Sequence, residues 1–386
     1  MIHQTFRKIF KTAVPMILLA SLLSGCGGGN SIYANYRAIE ELQTVQTLGI
    51  DLAADGCVTV TAAVGKAGDS GSPAVLRRSG HSIPEAIASL QDYTERGQLF
   101  FAHVQYLLLG RDMAASGLDE VFDYVERDVN TRMGTELFVL RDGRAEDLMA
   151  AMADGEKITD LLSSIKRDTA LRGDSHVNSL RAAAVALSEY GAVPVCALRA
   201  VPTERSVLSD GPAYTAVPDG YGILKDGVLV TFVSGKDAET LSLLTGNLGT
   251  VSHSIPDGGG GTVTLELSGS ASFSAAEPTL TEVTVHIDAA IAAVDSPNAP
   301  VTDEAYLEKL SAAVSSELEE SVQRVLGLSK SLNADFLPLA PAVKRKTGRT
   351  ILPADWLQEM EFRLHTETVM AHSYEMREPL KMEGEG

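Results

Sequence analysis

Basic residues, cysteines and long apolar runs are all scarce in this sequence. Its 386 residues include 32 Lys and Arg against 51 Asp and Glu, which gives a formal net charge of −19. This balance disfavours nucleic acid as a partner, because phosphate binding depends on Lys and Arg. It also argues against electrostatic adhesion of the body to anionic lipid headgroups.

Cysteine is too rare to form a disulfide framework. Beyond Cys26, only Cys57 and Cys196 occur, both within apolar, strand-like stretches. The two could pair in an oxidising compartment, but a single bridge is not a framework. We interpret them as buried free thiols.

The motifs of common catalytic and metal sites are also missing. The sequence has no Cys-x-x-Cys, no His pair at i, i+4 and no phosphate-binding G-x-x-x-x-G-K-[ST]. The loop 68–73 resembles the nucleophile loop of trypsin-like proteases, but the only upstream His is His3, so we interpret it as a hairpin loop. His103, in an apolar stretch, is interpreted as a core or domain-face His rather than a ligand. We predict no catalytic residue, no metal site and no cofactor.

The N-terminus carries the most specific pattern in the chain. Three basic residues precede a largely apolar run, 13–23, which is well short of the ~20 residues that span a membrane. Leu22-Leu23-Ser24-Gly25-Cys26 follows the pattern of a bacterial lipoprotein signal, in which the cysteine is diacylated and becomes the new N-terminus. We predict a signal peptide at 1–25, lipid attachment at Cys26 and a flexible tether at 26–35. An ordinary cleaved signal and a retained anchor are the alternatives.

Removing residues 1–25 makes the remaining chain more acidic. The segment holds three basic residues and no acidic ones, so 29 basic residues face 51 acidic ones, a net charge near −22. The lipid would therefore hold a body that an anionic membrane surface tends to repel. This favours a body that stands off the bilayer and meets protein partners.

Strand-like and helix-like patterns alternate through the rest of the chain. The Pro-containing stretch 202–218 has no clear period and is the best candidate for a boundary. We predict an N-terminal α+β domain at 36–205, a linker and middle α+β domain at 206–255, and a C-terminal α+β domain at 256–386.

Several elements can be predicted individually. The run 99–109 is typical of a central buried strand, and turn residues at 53–56 and 225–227 indicate hairpins. Long alternating strands are expected at 262–273 and 281–294. The longest helix is predicted over 302–326, ended by Gly327, and its apolar stripe is expected to form core against those strands, with a partner groove as the alternative. The fold class is a multi-domain α+β protein with mixed sheets and helices, and with long antiparallel strands plus a long helix in the C-terminal half.

The order of these pieces resembles the Ger(x)C family, the C-subunit lipoproteins of bacterial spore germinant receptors. Residues 40–42 with Thr47-Leu48-Gly49-Ile50-Asp51 are similar to the family's acidic-Leu step into a (T/A)-x-G-I-D strand. Further similar stretches lie, in order, at 99–103 with 107–110, at 118–121 with 127–128, at 222–233, and at 307–335, where a long helix leads to an x-D-x-F turn. The resemblance spans about residues 36–372.

The resemblance implies a function as well as a fold. It implies three mixed α+β domains in a non-enzymatic subunit on the extracytoplasmic face of the inner spore membrane. The expected partners are integral-membrane A- and B-type receptor subunits, with the membrane contacted through the lipid on Cys26. A solute-binding lipoprotein of a transporter is the alternative function, and an exported hydrolase has the least support because no nucleophile–base pair is visible.

Overall fold

A computed structural model of the chain places its strands in two mixed sheets. The structure describes residues 42–65, 74–92, 98–128, 131–152, 155–202, 214–256, 260–295 and 303–370. Internal contacts divide the chain into residues 1–42 and 43–386, and the account below concerns the second unit. The predicted signal peptide and tether, the protease-like loop 68–73 and most of the Pro-containing stretch lie outside the described residues.

The first sheet has a core of parallel strands with antiparallel strands at both sides. Its order is β10-β9-β8-β6-β5-β1-β2-β3, with β4 beside β1 and β7 beside β6. The bounds are β1 Leu42–Leu52, β2 Val58–Val64, β3 Ala74–Gly80, β4 Gln98–Phe100, β5 Tyr106–Leu109, β6 Glu136–Leu140, β7 Asn178–Ser179, β8 Ala192–Pro202, β9 Tyr214–Lys225 and β10 Val228–Val233. Strands β1, β5, β6 and β8 run parallel to one another.

Helices cover both faces of this sheet, because the buried strands send alternate apolar side chains to opposite sides. The helices are α1 Ile83–Asp92, α2 Arg111–Ser116, α3 Asp119–Arg127, α4 Ala145–Met152, α5 Gly155–Arg172 and α6 Leu180–Tyr190. In β6, Leu137 and Val139 join the core that includes α1, α3 and α6. Phe138 and Leu140 join the core that includes α4 and α5.

The second sheet has the order β11-β12-β13-β14 and packs one face against helices. Its strands are β11 Val251–Pro256, β12 Thr262–Glu277, β13 Leu280–Asp295 and β14 Glu361–Met370, and the helices around it are α7 Lys236–Leu244, α8 Glu304–Leu332 and α9 Ala340–Thr347. Strands β12 and β13 are antiparallel, whereas β14 runs parallel to β13. The predicted fold class is confirmed, including the long antiparallel strands and the long helix.

The two predicted hairpins are confirmed. β1 and β2 pair antiparallel, with Gly56 in the left-handed region at φ 83°. β9 and β10 pair around Asp226 and Gly227, whose φ values of 49° and 79° are those of a type I′ turn. The division into three domains stays a prediction, although β9, after the expected boundary, is hydrogen-bonded to β8, before it.

The prediction of one strand over 99–109 is wrong. The chain leaves β4 at Phe100, makes a 3-10 turn over Phe101–His103 and only then enters β5. The turn is closed by the Val104 N–H, which donates to the Phe101 carbonyl oxygen at 3.0 Å. Phe101 and Val104 are nevertheless buried in the same core. The apolar run therefore indicated burial, which a turn also satisfies, and not an extended backbone.

The predicted stop of the long helix at Gly327 is also wrong. α8 continues to Leu332 and ends at Asn333, which adopts the left-handed conformation. Gly costs about 1 kcal/mol relative to Ala inside a helix. Burial of the apolar side chains Val325 and Leu326 just before it outweighs that cost. The apolar stripe of this helix is confirmed as core, because Leu310 and Val322 pack in the same cluster as residues of β12 and β13.

Candidate functional site

The predicted lipid site, Cys26, lies outside the described residues, so lipid attachment stays a prediction. Among the described helices, none is both long and apolar enough to cross a bilayer. Within the same residues, no three His, Cys, Asp or Glu side chains are grouped so that they could hold a metal ion.

The carboxyl edge of the parallel strands is the first place to look for a site, because open α/β sheets bind ligands there. Arg111 follows β5, Arg141 follows β6, and Arg199 lies at the matching level of β8. Arg141 stacks over the Phe232 ring of β10 at 4.8 Å, and Arg111 lies 6.0 Å from the same ring centroid. The fold thus places two guanidinium groups, those of Arg111 and Arg141, over one aromatic ring, and Arg199 next to them in the sheet.

Carboxylates neutralise these arginines. Asp219 forms an ion pair with Arg141 and lies 3.5 Å from Arg199, while Asp142 lies 2.8 Å from Arg111. An anionic ligand would have to displace these carboxylates to reach the guanidinium groups. Arginine also stays protonated at all relevant pH values, so the network can orient charge but cannot transfer protons. We interpret it as a binding or stabilising surface and not as a catalytic centre.

Sequence reasoning did not find this network. Its members come from the start of α2, the end of β6, and strands β8, β9 and β10, so no local spacing connects them. The available signal was an Arg-Asp pair that follows each of two buried strands, Arg111-Asp112 after Gly110 and Arg141-Asp142 directly after β6.

At the same edge, Asp51 joins the end of β1 to the start of α4. Its carboxylate accepts hydrogen bonds from the backbone N–H groups of Ala145 at 2.7 Å and Glu146 at 2.9 Å. These bonds satisfy two of the otherwise unpaired donors of the helix N-terminus. Burial raises the pKa of Asp51 to about 6, although both hydrogen bonds act in the opposite direction. The Gly-Ile-Asp motif is therefore a structural joint.

Asp335 performs the same task for α9. Its two carboxylate oxygens accept from the N–H groups of Leu339 and Ala340, each at 2.8 Å. Burial is the main cause that raises its pKa to about 6. Phe336, next to it, is 1% exposed and fills the second core. The x-D-x-F turn is thus a helix cap followed by a core anchor.

These two carboxyls make stability depend on pH in a defined direction. Because the folded-state pKa of about 6 lies above the ordinary 3.8, the folded protein holds each proton more tightly than the unfolded chain does. The resulting stabilisation is complete below pH 3.8 and is lost as the pH rises through about 6. It amounts to at most roughly 3 kcal/mol per group.

We expect Asp51→Asn and Asp335→Asn each to weaken the fall in unfolding free energy between pH 4 and pH 7. Urea unfolding across that range measures the difference. Asp55→Asn is the comparison variant, since the hydrogen bond from the Cys57 N–H lowers the pKa of Asp55, so that any contribution of this group changes only below pH 3.8 and the variant should behave as the parent between pH 4 and pH 7. If the unfolding free energy of Asp51→Asn and Asp335→Asn fell between pH 4 and pH 7 as much as that of the parent protein, the raised pKa values of these two carboxyls would be contradicted.

A narrow cleft of about 60 Å³ lies between α7, α8 and the second sheet. At its rim, Glu317 lies 2.8 Å from Lys236 Nζ and 3.1 Å from His253 Nε2. The hydrogen bond from Lys236 lowers the pKa of Glu317. Two partners, 81 and 64 positions away in the chain, therefore hold Glu317, although its side chain stays 43% exposed.

The remaining predicted residues have clear locations. His103 lies exposed in the 3-10 turn, with its ring 5.4 Å from that of Phe100. Cys57 and Cys196 are both free thiols, as predicted, but only Cys196 is buried and Cys57 is half-buried. Burial raises the pKa of the Cys196 thiol to about 12, so it is a poor nucleophile at neutral pH.

Comparisons with known proteins agree with this architecture. Residues 35–197 match the family described as "Spore germination protein N-terminal domain", and residues 219–373 match "Spore germination B3/ GerAC like, C-terminal". Spore germination protein KC of Bacillus subtilis (strain 168) is 27% identical over 159 residues, which are 38% of this chain and 37% of that protein. The match therefore spans little more than a third of the relative's length.

A solved structure has the same fold. The crystal structure of the GerBC protein aligns with a TM-score of 0.51 over 84% of this chain and 96% of the other, at 17% identity. At that identity the likeness concerns the fold. The two matched ranges together include the Gly-Ile-Asp joint, the Asp335 cap and the arginine network apart from Arg199.

Proposed function

Because this chain belongs to the Ger(x)C family of spore germination proteins, the germinant-receptor C subunits, we propose that it is a lipid-anchored, non-enzymatic receptor subunit. It acts on the extracytoplasmic face of the inner spore membrane through contacts with integral-membrane A- and B-type subunits. These subunits sense the nutrient, and the present chain supports their assembly or signalling.

The observation that carries the anchoring is Cys26 itself. It directly follows Leu22-Leu23-Ser24-Gly25, after a short apolar run and three basic residues. Two acyl chains on that thiol would hold the protein stably, whereas one chain gives only marginal binding, at ~0.8 kcal/mol per buried methylene.

The environment of the buried acids supports a non-enzymatic role. Strongly displaced pKa values often mark catalytic groups. Here Asp51 and Asp335 are each held by two backbone N–H groups at a helix start, which accounts for their burial. The chain would therefore work by presenting surfaces to neighbouring subunits.

The test is the Cys26→Ala variant, expressed from its own locus. We expect the protein to leave the membrane fraction and nutrient-triggered germination to be severely impaired, while growth and spore formation continue normally. Cys57→Ala is the matched control, because it removes a half-buried thiol outside the lipid signal. Membrane-bound protein and normal germination in the Cys26 variant would contradict the proposal, and immunoblots would exclude simple loss of the protein.

A further inference from the structure

One short segment reverses the charge of this acidic chain. Four basic residues lie within six positions, Lys344, Arg345, Lys346 and Arg349, and no Asp or Glu occurs from residue 336 to 354. The first three form the last turn of α9, and Gly348 ends that helix in the left-handed conformation at φ 66°. We call residues 344–351 the basic loop.

The side chains of the basic loop are available to a partner. Arg345, Lys346 and Arg349 are exposed, and none forms an ion pair with a residue in the described ranges. Basic residues in a last helical turn favour the helix dipole by roughly 0.3–1 kcal/mol each, which gives Lys344 to Lys346 a local structural role. Arg349 lies beyond the helix end, so the dipole does not explain it.

An apolar side chain projects from the end of the same loop. Ile351 is 83% exposed, more than any other large apolar side chain in the described residues; the next is Leu171 at 67%. Leaving such a side chain in water forgoes about 1.5–3 kcal/mol of burial free energy. The loop therefore combines unpaired positive charge with an unburied aliphatic group.

The inner side of the loop closes a polar cavity of about 420 Å³. Its lining includes Ile351, Lys344 and Trp356, together with the carboxylates of Glu189 and Asp226. Arg345, Lys346 and Arg349 are not part of that lining. The carboxylates thus share the cavity lining with Lys344, while the other three basic side chains lie outside it.

We infer that the basic loop docks on the surface of an anionic lipid bilayer, with Ile351 inserted at the headgroup boundary. Each Lys or Arg near such a surface contributes about 1 kcal/mol, and an inserted aliphatic group adds to it. The acidic remainder of the body does not prevent this, because exposed charges beyond about 8–10 Å are largely screened at physiological salt.

Docking would orient the anchored body. This step rests on the proposed function, since the lipid at Cys26 supplies the bilayer and the loop supplies a second, fixed point of contact. Two points of contact restrict rotation of the body relative to the membrane, so that the same surface always faces the membrane-embedded partners.

The single Trp of the chain reports on the docking. Trp356 is half-buried and lines the same cavity as Ile351. The mature protein is purified and reconstituted in phosphatidylcholine vesicles with and without 30% phosphatidylglycerol, a composition chosen to give an anionic surface. We expect a blue shift of Trp emission and quenching by brominated lipid only in the anionic vesicles, with reversal in about 1 M salt.

Two variants test the residues. The triple variant Arg345→Gln, Lys346→Gln, Arg349→Gln should shift the equilibrium towards the undocked loop by about 100-fold. Ile351→Ser should shift it about tenfold. The matched control, Arg132→Gln, Arg181→Gln, Lys309→Gln, removes three exposed charges elsewhere and should behave as the parent protein.

The outcomes separate this inference from the proposed function. Mass spectrometry of the same preparation reports acylation of Cys26 independently, and unacylated protein can be added to the vesicles from solution. Trp356 emission that does not respond to phosphatidylglycerol would overturn the inference. The same holds if the emission does not respond and the basic residues are found, by crosslinking, to contact a protein instead. The inference would also be overturned if the control triple variant lost the response to phosphatidylglycerol to the same extent as the triple variant of the basic loop.

Discussion

Gly110→Ala is expected to lower the free energy of unfolding by about 3 kcal/mol or more. The backbone at this position, φ −63° and ψ 155°, accepts any residue, so conformation does not require the glycine. Space does: a Cβ would lie 1.9 Å from Asp51 Oδ1 and 3.1 Å from its Cγ. The added methyl would push the Asp51 carboxylate from the N–H groups that it caps, combining overpacking with lost hydrogen bonds.

A double-mutant cycle identifies the cause. If the clash with Asp51 is responsible, Asp51→Ala with Gly110→Ala should be little less stable than Asp51→Ala alone, because the colliding group is gone. Gly134→Ala is the matched control, since its Cβ would meet no atom within 4 Å. Additive effects in the cycle, measured by urea unfolding, would contradict this account.

Asp335→Ala is expected to destabilise the protein by about 2–4 kcal/mol at pH 7. The substitution leaves the N–H groups of Leu339 and Ala340 buried without acceptors, and each such donor costs about 1–3 kcal/mol. Relief of the buried charge offsets part of this loss, because burial already raises the pKa of Asp335. Thermal or urea unfolding of the purified protein measures the net result.

Asp303→Ala provides a comparison at another helix start. Asp303 accepts from the Ala305 N–H at 3.1 Å at the start of α8, but it is exposed, so water can replace it. We expect a loss of only about 1 kcal/mol there. Equal losses in the two variants would show that burial does not set the cost of losing the cap.

The motifs that carried the family resemblance are mainly structural joints. Gly49 allows α4 to approach β1, since a Cβ there would lie 2.7 Å from Met149 Sδ. Asp51 and Asp335 cap helices that begin far away or several residues later in the chain. A motif can therefore be recognised from sequence while its physical task stays hidden, because the task depends on the element packed against it.

The wrong predictions share a cause. The apolar run 99–109 contains a turn, and Gly327 lies inside a helix, because packing in the core supplied more free energy than local preference. The predicted hairpins and long strands succeeded because turn residues and strict alternation depend only on neighbouring positions. The arginine network could not be predicted, since its members come from a helix start and from strands that meet only in the folded sheet.

The sequence by itself determined the lipid-signal pattern at Cys26, the acidic balance, the hairpins and the order of family-like stretches, because each depends on composition or short-range spacing. Only the tertiary structure decided which acids are buried caps, which arginines lie over Phe232, and that the basic residues next to Ile351 are exposed together with it. The position of a charge in the sequence does not say whether the folded chain buries it, pairs it or leaves it in water, because that depends on the elements packed around it.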